Sequence, residues 1–450
     1  MWKQSDGGVA FLATKPARES GHGRSDTAMG IIAAKDRTPS RPEWMALEAW
    51  VRGKVQGLIQ DLLEAEVTDL LGRAKSERIA AVDGQAGYRN GHGKPRRVTL
   101  SCGTVKVRRP RVRGVEERFE SRVLPLFKRR TKEVDELLPE LYLHGLAEGD
   151  FDLAVRGLLG EEAPVSGSTV ARLKEKWLAE QAEWSARRLD DHEVVYLWAD
   201  GVYIKAGLEK DKAAILVVLA GLSDGRKVVL AVKSGHRESE QSWAGLLRDL
   251  RARGLRPPRL LIADGHLGVW SALRQVYPET EEQRCWNHRI VNVLDRIPKR
   301  LQEAAKSLLT RIPYAETAAE AERFKAAFSK WCEENGCREA SRVLEHDWPR
   351  MIAFYAFPKD HWIHLRTTNP VESPFSALRL RTDAAKRFKK VENATAIVWK
   401  LLLIGESTFR KLNAAELLKD VYHGAVYVDG AKPEEPTKNT KQAVKRKAAA

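Results

Sequence analysis

Cysteine is scarce in this chain: four in 450 residues, at positions 102, 285, 332 and 337. That is too few to staple a chain of this size, which excludes a disulfide framework. Long apolar runs are missing too. The longest, such as ILVVLAGL at 215–222, fall far short of the ~20 residues a membrane-spanning helix needs. The opening stretch MWKQSDGGVAFLATKPARES has no proper apolar centre, so no secretory leader is expected. Acidic residues are the minority, 61 against 77 Lys and Arg, a net charge of +16. These absences predict a cytoplasmic protein with no membrane partner, and the surplus of cations predicts a polyanionic one. Hydrophobic content of 43% and charged content of 31% are those of a globular protein. The length predicts about three structural units.

The positive charge is concentrated. Residues 88–132 hold 15 Lys and Arg against 3 acids. Their centre, VTLSCGTVKVRRPRV, is β-branched and broken by Gly and Pro, which predicts short strands or an extended arm. Arg89, Arg96, Arg97, Lys106, Arg108, Arg109, Arg111, Arg113, Arg129 and Arg130 are its candidate DNA contacts, able to lie along phosphates and release counterions. A solvated basic face is the plainer reading. A second cluster contains Arg379, Arg381 and Arg387 with Lys386, Lys389 and Lys390. A third, KQAVKRK, lies in a Pro-, Lys- and Glu-rich tail that reads as disordered.

Residues 1–42 mix Gly, Ser, Arg and Pro without periodicity and read as a disordered extension, or as sequence upstream of the natural start. Residues 43–133 combine a helix with the basic segment: apolar residues recur at three- and four-residue spacing up to Gly72. Residues 134–190 are helical. A Gly-containing turn and a Ser-rich cap at 166–169 suggest a helix-turn-helix reader presenting Thr169, Arg172 and Lys174; an ordinary helical hairpin fits the same residues. Residues 191–285 carry three apolar strands, the last two joined by Asp-Gly, then a helix, a buried strand and a helix. This is an α/β core with a mixed sheet. Residues 286–365 read as a helical insertion, 366–412 as helices closing the core, and 413–450 as a basic tail.

Three acids stand out. Asp200 interrupts the apolar strand VVYLWADGVYI, and Asp264 ends the buried strand LLIADGH. A carboxylate in so apolar a setting is costly without a compensating cation such as a metal, and α/β sheets place ligands at the carboxyl ends of strands. Each also has a plainer reading: Asp200-Gly201 as a hairpin turn, Asp264 as a helix cap. Glu372 lies in TTNPVE, where Asn369 as N-cap, Pro370 and Glu372 would make a capping box. Taken together, two aspartates and a glutamate can converge on a pair of Mg²⁺ ions, with Mn²⁺ the expected substitute. Two such ions serve in-line phosphoryl transfer.

These residues resemble the mutator-type bacterial insertion-sequence transposases, over roughly residues 44–411. The resemblance rests on Y-R-N-G-H at 88–92, W-A-D-G at 198–201, I-A-D-G-H at 262–266, Q-R-C-W-N-H-R at 283–289 and T-T-N-P-V-E at 367–372. Sixty-four residues separate Asp200 from Asp264, and 108 separate Asp264 from Glu372. The resemblance implies a ribonuclease-H-like core in which Asp200, Asp264 and Glu372 are the metal-binding triad of a DDE transposase. It implies binding of double-stranded DNA, both terminal inverted repeats and target, and at least a homodimer, with the helix at 43–72 a candidate contact. The rivals are a DNA-binding regulator that has lost the reaction, and a nuclease that does not join.

The family also carries a Cys-x-x-His element, matched by Cys285 and His288. His361 and His364 would complete a zinc set only across a long gap, so zinc is not expected. Cys285, His288 and Asn369 are read instead as structural or adjacent to the active site. Cys332 and Cys337 read as plain residues of the helical lobe. Trp286, Trp331 and Trp348 read as core before they read as base-stacking platforms.

Overall fold

In the computed structural model the described residues are 44–77, 87–116, 118–146, 148–163, 167–207, 212–235, 238–265, 267–385 and 387–433. A 3₁₀ turn, Trp44–Ala46, leads into α1, Leu47–Leu71, which stops where Gly72 turns left-handed at φ 63°. A division between two compact units falls after Val51, inside this helix. Further along it, Leu63 and Val67 sit on one face and are fully buried. They pack against Val98, Val105, Val107 and Leu124 in a small core of their own.

The basic segment supplies the rest of that core as short strands. β1 (Tyr88–His92) pairs antiparallel with β4 (Pro110–Arg113), and β2 (Arg96–Leu100) with β3 (Gly103–Val107). Alternation sorts the side chains: Val98, Val105 and Val107 point inward, while Arg97, Lys106 and Arg108 point to solvent.

Three helices follow where the sequence suggested a pair: α2 (Lys132–Leu143), α3 (Glu148–Leu159) and α4 (Gly167–Ala186). Tyr142, Phe151 and Trp177 hold them together, with ring centroids 6.2 and 5.9 Å apart. Thr169, expected at a reading surface, is buried beside Val170 on the packed side of α4. The serine cap expected at Ser166 lies outside the described residues.

The central sheet has five strands in the order β7-β6-β5-β8-β9. β5 (Val194–Ile204), β6 (Ala213–Leu222) and β7 (Lys227–Gly235) form an antiparallel meander. The Asp-Gly turn forms as expected: Leu222 N–H donates to Arg226 C=O at 2.9 Å, and Gly225 has φ 85°. β8 (Leu260–Ala263) and β9 (Glu281–Arg284) add in parallel beyond β5. The sheet is covered on both faces, which is why β6 reads as one apolar run instead of alternating. β9 is the strand that hydropathy hides: E-E-Q-R has no apolar residue, yet Gln283 is fully buried.

On one face lie α5 (Glu240–Ala252) and α6 (Leu267–Val276), which bury Trp243, Leu247, Trp270 and Leu273 against Leu197, Ala199 and Leu261. The other face takes the insertion, α7 (Trp286–Leu294), α8 (Gln302–Leu309), α9 (Ala318–Glu334), α10 (Arg338–Glu345) and α11 (Trp348–Ile352). It also takes α12 (Trp362–Leu365), α13 (Asn369–Glu372), α14 (Phe375–Ala384) and α15 (Val391–Glu406). Trp286 and Trp348 are buried, and Trp331 stacks on Phe328. All four cysteines are free, and only Cys102 is exposed. The stretch expected as a basic tail begins with ordered structure. Residues up to 433 are described, and α16 (Ala415–Tyr422) buries Leu418 and Val421 at helical spacing. KQAVKRK lies outside the described residues.

One carboxylate joins insertion to sheet. Asp347, left-handed at φ 68°, accepts from Arg284 of β9 at 2.7 Å, Arg289 of α7 at 3.1 Å and Arg350 of α11 at 2.5 Å. Its side chain is 7% exposed, and its carboxyl titrates below the usual range under the attraction of Arg350, His346 and Arg284, although burial opposes the shift. Breaking a buried pair by removing one partner costs about 3–5 kcal/mol, because the other charge is stranded. Asp347→Ala is therefore expected to destabilise the fold by about that amount in urea unfolding.

Candidate active site and basic face

β5 and β8 run parallel, and their last paired residues are Ala199 and Ala263. The next residue on each strand is an acid. Asp200 and Asp264 thus stand side by side where β8 ends, at the strand spacing of about 4.8 Å. β5 continues through Asp200-Gly201, which pair with Val217 and Leu216 of β6, so the hairpin turn weighed for this dipeptide does not form. Asp200 shares the sheet face of Trp198 and Val202, the face on which α13 packs. Burial pushes the Asp200 carboxyl up to about 7, helped by the negative charges of Asp264, Glu372 and Glu238; the Gly201 N–H, donating at 2.8 Å, opposes the rise.

Glu372 is at the last position of α13, but not in the expected capping box. Thr368, not Asn369, precedes the helix, and its hydroxyl donates to the Glu372 carboxylate instead of accepting a backbone N–H. The Thr368 N–H and hydroxyl also face the Cys285 sulfur at 3.3 and 3.2 Å. His288, one turn along α7 from Cys285, brings Nδ1 to 3.7 Å from the same carboxylate. Its pKa is pushed up to about 9, first by a hydrogen bond to Cys285 and then by the negative charges of Glu372 and Asp264, although burial opposes the rise. Asn369 is exposed and accepts from the Asn287 side chain at 3.1 Å.

Glu238, which sequence reading does not single out, lies against this group. It is buried and bonded to the Tyr203 hydroxyl. A Cβ at position 201 would overlap its carboxylate, so the W-A-D-G glycine leaves room for a fourth acid. Standing just ahead of the Ser239 cap of α5, Glu238 looks in sequence like an ordinary helix-start acid.

The four-ligand zinc arrangement does not form. His361 exchanges a hydrogen bond with the Tyr196 hydroxyl at 2.7 Å, and His364 Nε2 accepts from the Asn413 N–H at 3.1 Å. Among the described residues, Cys285, His288 and Glu372 do bring ligand atoms within 4.8 Å of one another.

The candidate DNA contacts divide by exposure. Arg97, Lys106, Arg108, Arg111, Arg113, Arg129, Arg172, Arg379 and Arg387 are exposed. Of these, Arg97 and Lys106 share Glu162, at 3.7 and 2.6 Å. Others hold the chain to itself. Arg89 donates to the Arg73 and Ala74 carbonyls at 3.2 Å and to Thr68 at 2.8 Å, Arg109 to the Phe119 carbonyl at 2.7 Å, and Arg130 pairs with Asp135 at 2.7 Å. Lys174 is half-buried, 5.6 Å from the Tyr142 ring. Arg381 is a correction: it is 1% exposed with its guanidinium 3.9 Å from the Tyr142 ring, so it offers no surface to DNA.

Residues 33–409 match the family described as Transposase, Mutator family. The chain belongs to the Mutator family of transposases. It is 40% identical to the transposase for insertion sequence element IS6120 of Mycolicibacterium smegmatis over 68% of this chain and 94% of that one. It is 35% identical to the transposase for insertion sequence element IST2 of Acidithiobacillus ferrooxidans over 61% of this chain and 93% of the other. Against the transposase for insertion sequence element ISRM5 of Rhizobium meliloti the figure is 27%, over 81% of this chain and 88% of that one. Among the described residues of this Mutator-family chain, no helix is long and apolar enough to cross a membrane.

The raised pKa of Asp200 has a measurable sign. Between about pH 4 and 7 the folded chain keeps a proton that the unfolded chain has lost, so stability falls as pH rises through that window. His288 adds nothing to the slope below its ordinary value of 6.5, where both states hold its proton; its own contribution is lost as pH rises towards about 9. In chelator, the urea midpoint is expected to fall from about pH 5 to 6.5, and Asp200→Asn to flatten that fall.

Proposed function

We propose that this chain is a DDE transposase that binds the terminal inverted repeats of an insertion sequence, nicks the DNA at the element's ends and joins the freed 3′-hydroxyl to target DNA. The observation that carries the reading is the grouping of three acids from distant parts of the sequence, one of them partly buried. Asp200 is pushed up first by burial and then by the negative charges of Asp264 and Glu372. Clustered carboxylate oxygens are the donor set that Mg²⁺ prefers, with Mn²⁺ its substitute. The five-stranded sheet is, on this reading, a ribonuclease-H-like core.

Asp200, Asp264 and Glu372 would hold a pair of Mg²⁺ ions, which when bound supply Lewis acidity to both oxygens of an in-line displacement. The protein's own part is positional. The β5–β8 pairing sets the separation of the aspartates, and the Thr368 hydroxyl and His288 fix the Glu372 carboxylate. In the first step water attacks the phosphodiester and the 3′-oxygen leaves with a proton. In the second that hydroxyl attacks a target phosphodiester, forming one P–O bond and breaking another, so no high-energy cofactor is consumed. Residues 43–190 are proposed to carry the ends through the exposed arginines of the basic face. Residues 191–285 and 366–412 would perform the chemistry, with 286–365 inserted between them. Two ends must be held together, so at least a homodimer is proposed.

The test incubates purified protein with Mg²⁺ and a labelled duplex of the DNA flanking the coding region, resolving nicked and joined strands on a denaturing gel. Wild type is expected to give both products. Asp264→Ala is expected to lower nicking by about a thousandfold or more, since metal stabilisation of the transition state amounts to several kcal/mol. Binding without nicking in Mg²⁺ or Mn²⁺ would favour a regulator, and nicking without joining a nuclease.

A further inference from the structure

Phe127 is the most exposed large apolar side chain among the described residues, at 91%. It is also one of five non-glycine residues described with positive φ, at 68°. It is the third residue of a turn in which the Lys128 N–H donates to the Pro125 C=O at 3.4 Å. That is the position where a turn with positive φ calls for glycine, and a bulky aromatic is disfavoured there. The local backbone and the ring's contact with water both argue against phenylalanine.

The turn is held rigidly. Glu66 of α1 accepts from the Arg122 and Val123 N–H groups at 2.7 and 3.0 Å, and Leu124 is buried in the small core. The Arg96 guanidinium donates to the Pro125 carbonyl at 3.2 Å and also to that of Lys128. Just past the turn, Thr99 N–H donates to Arg129 C=O at 2.8 Å and Thr131 N–H to Thr99 C=O at 3.0 Å. The ring is therefore carried outward on a fixed mount. Exposed cations flank it at Arg122, Lys128 and Arg129. Arg96 is depressed by burial and by the nearby charges of Arg129 and Arg109, so positive charge is crowded here.

A rigid aromatic edge amid crowded cations fits a polyanion with planar faces between its charges. We propose that Phe127 is a wedge that stacks against a base of bound duplex DNA while the flanking cations engage its phosphates. This rests on the reading above that the chain binds DNA. An apolar side chain inserted at a base step partly unstacks it, and the ring recovers a π-face in exchange for water.

The test uses the full chain with a fluorescent duplex of the flanking DNA carrying 2-aminopurine at successive positions. Phe127→Gly gives the turn its preferred residue, so the thermal midpoint is expected to stay or rise. Affinity is expected to fall roughly ten- to a hundredfold, the range for losing one base–aromatic stack. No charge is removed, so the slope of log affinity against log salt is expected to be unchanged. Wild type is expected to brighten 2-aminopurine at one step and Phe127→Gly to leave it dim. Phe127→Trp is expected to retain both binding and brightening. Wild-type affinity in Phe127→Gly, or a reduced salt slope, would overturn the wedge while leaving DNA binding in place. A wild-type chain that bound no DNA would remove the DNA-binding reading and the wedge with it.

Discussion

Two carboxylates that follow partnered residues on neighbouring parallel strands are forced close together, and the burial of one of them, Asp200, sets the electrostatics of the site. The pairing of β5 with β8 leaves no choice in the matter, because Ala199 and Ala263 are partners and an aspartate follows each. α13 then brings Glu372 to the same group, and Gly201 leaves room for Glu238. On the proposed reading, the proton held by Asp200 stands where a cation would bind. The same feature that makes the folded chain less stable as pH rises would, on that reading, make it receptive to hard cations. Stability and the proposed chemistry draw on one electrostatic fact.

Most of the architecture is legible in the residues. β5, β6, β7 and β8 announce themselves as apolar runs with turn chemistry between them, and α1 by its three- and four-residue spacing and Gly72. β9 does not, because E-E-Q-R takes its place through pairing with β8 and through the buried amide of Gln283, which donates to the Arg284 and Met351 carbonyls. α16 is missed for a different reason: a short apolar repeat is masked by the charged composition around it. At the site, the acids are visible as charges in apolar strands, but their convergence is not. Acids in unusual settings suggested it and the motif resemblance strengthened it, since no spacing rule links residues 64 and 108 positions apart. Glu238 carries no such signal, since an acid ahead of a serine cap has a routine explanation.

Charge is also read differently once burial is known. Arg89, Arg96 and Arg109 are indistinguishable in sequence from Arg111 and Arg113, yet the first three spend donors on backbone carbonyls of their own chain. A basic segment is thus part adhesive and part surface. Arg284, Arg289 and Arg350 are wholly adhesive: they meet on Asp347 and fasten the insertion to the sheet edge that bears the Cys285–Thr368 contact.

The distribution of thiols has a practical side. Cys285, Cys332 and Cys337 are enclosed, and Cys102 sits in the turn that closes the β2–β3 hairpin, just beyond the Leu100–Gly103 pair. A maleimide dye added to the native chain would mark that hairpin alone. The protein carries its own attachment point for a distance ruler, on its basic side, with no residue replaced.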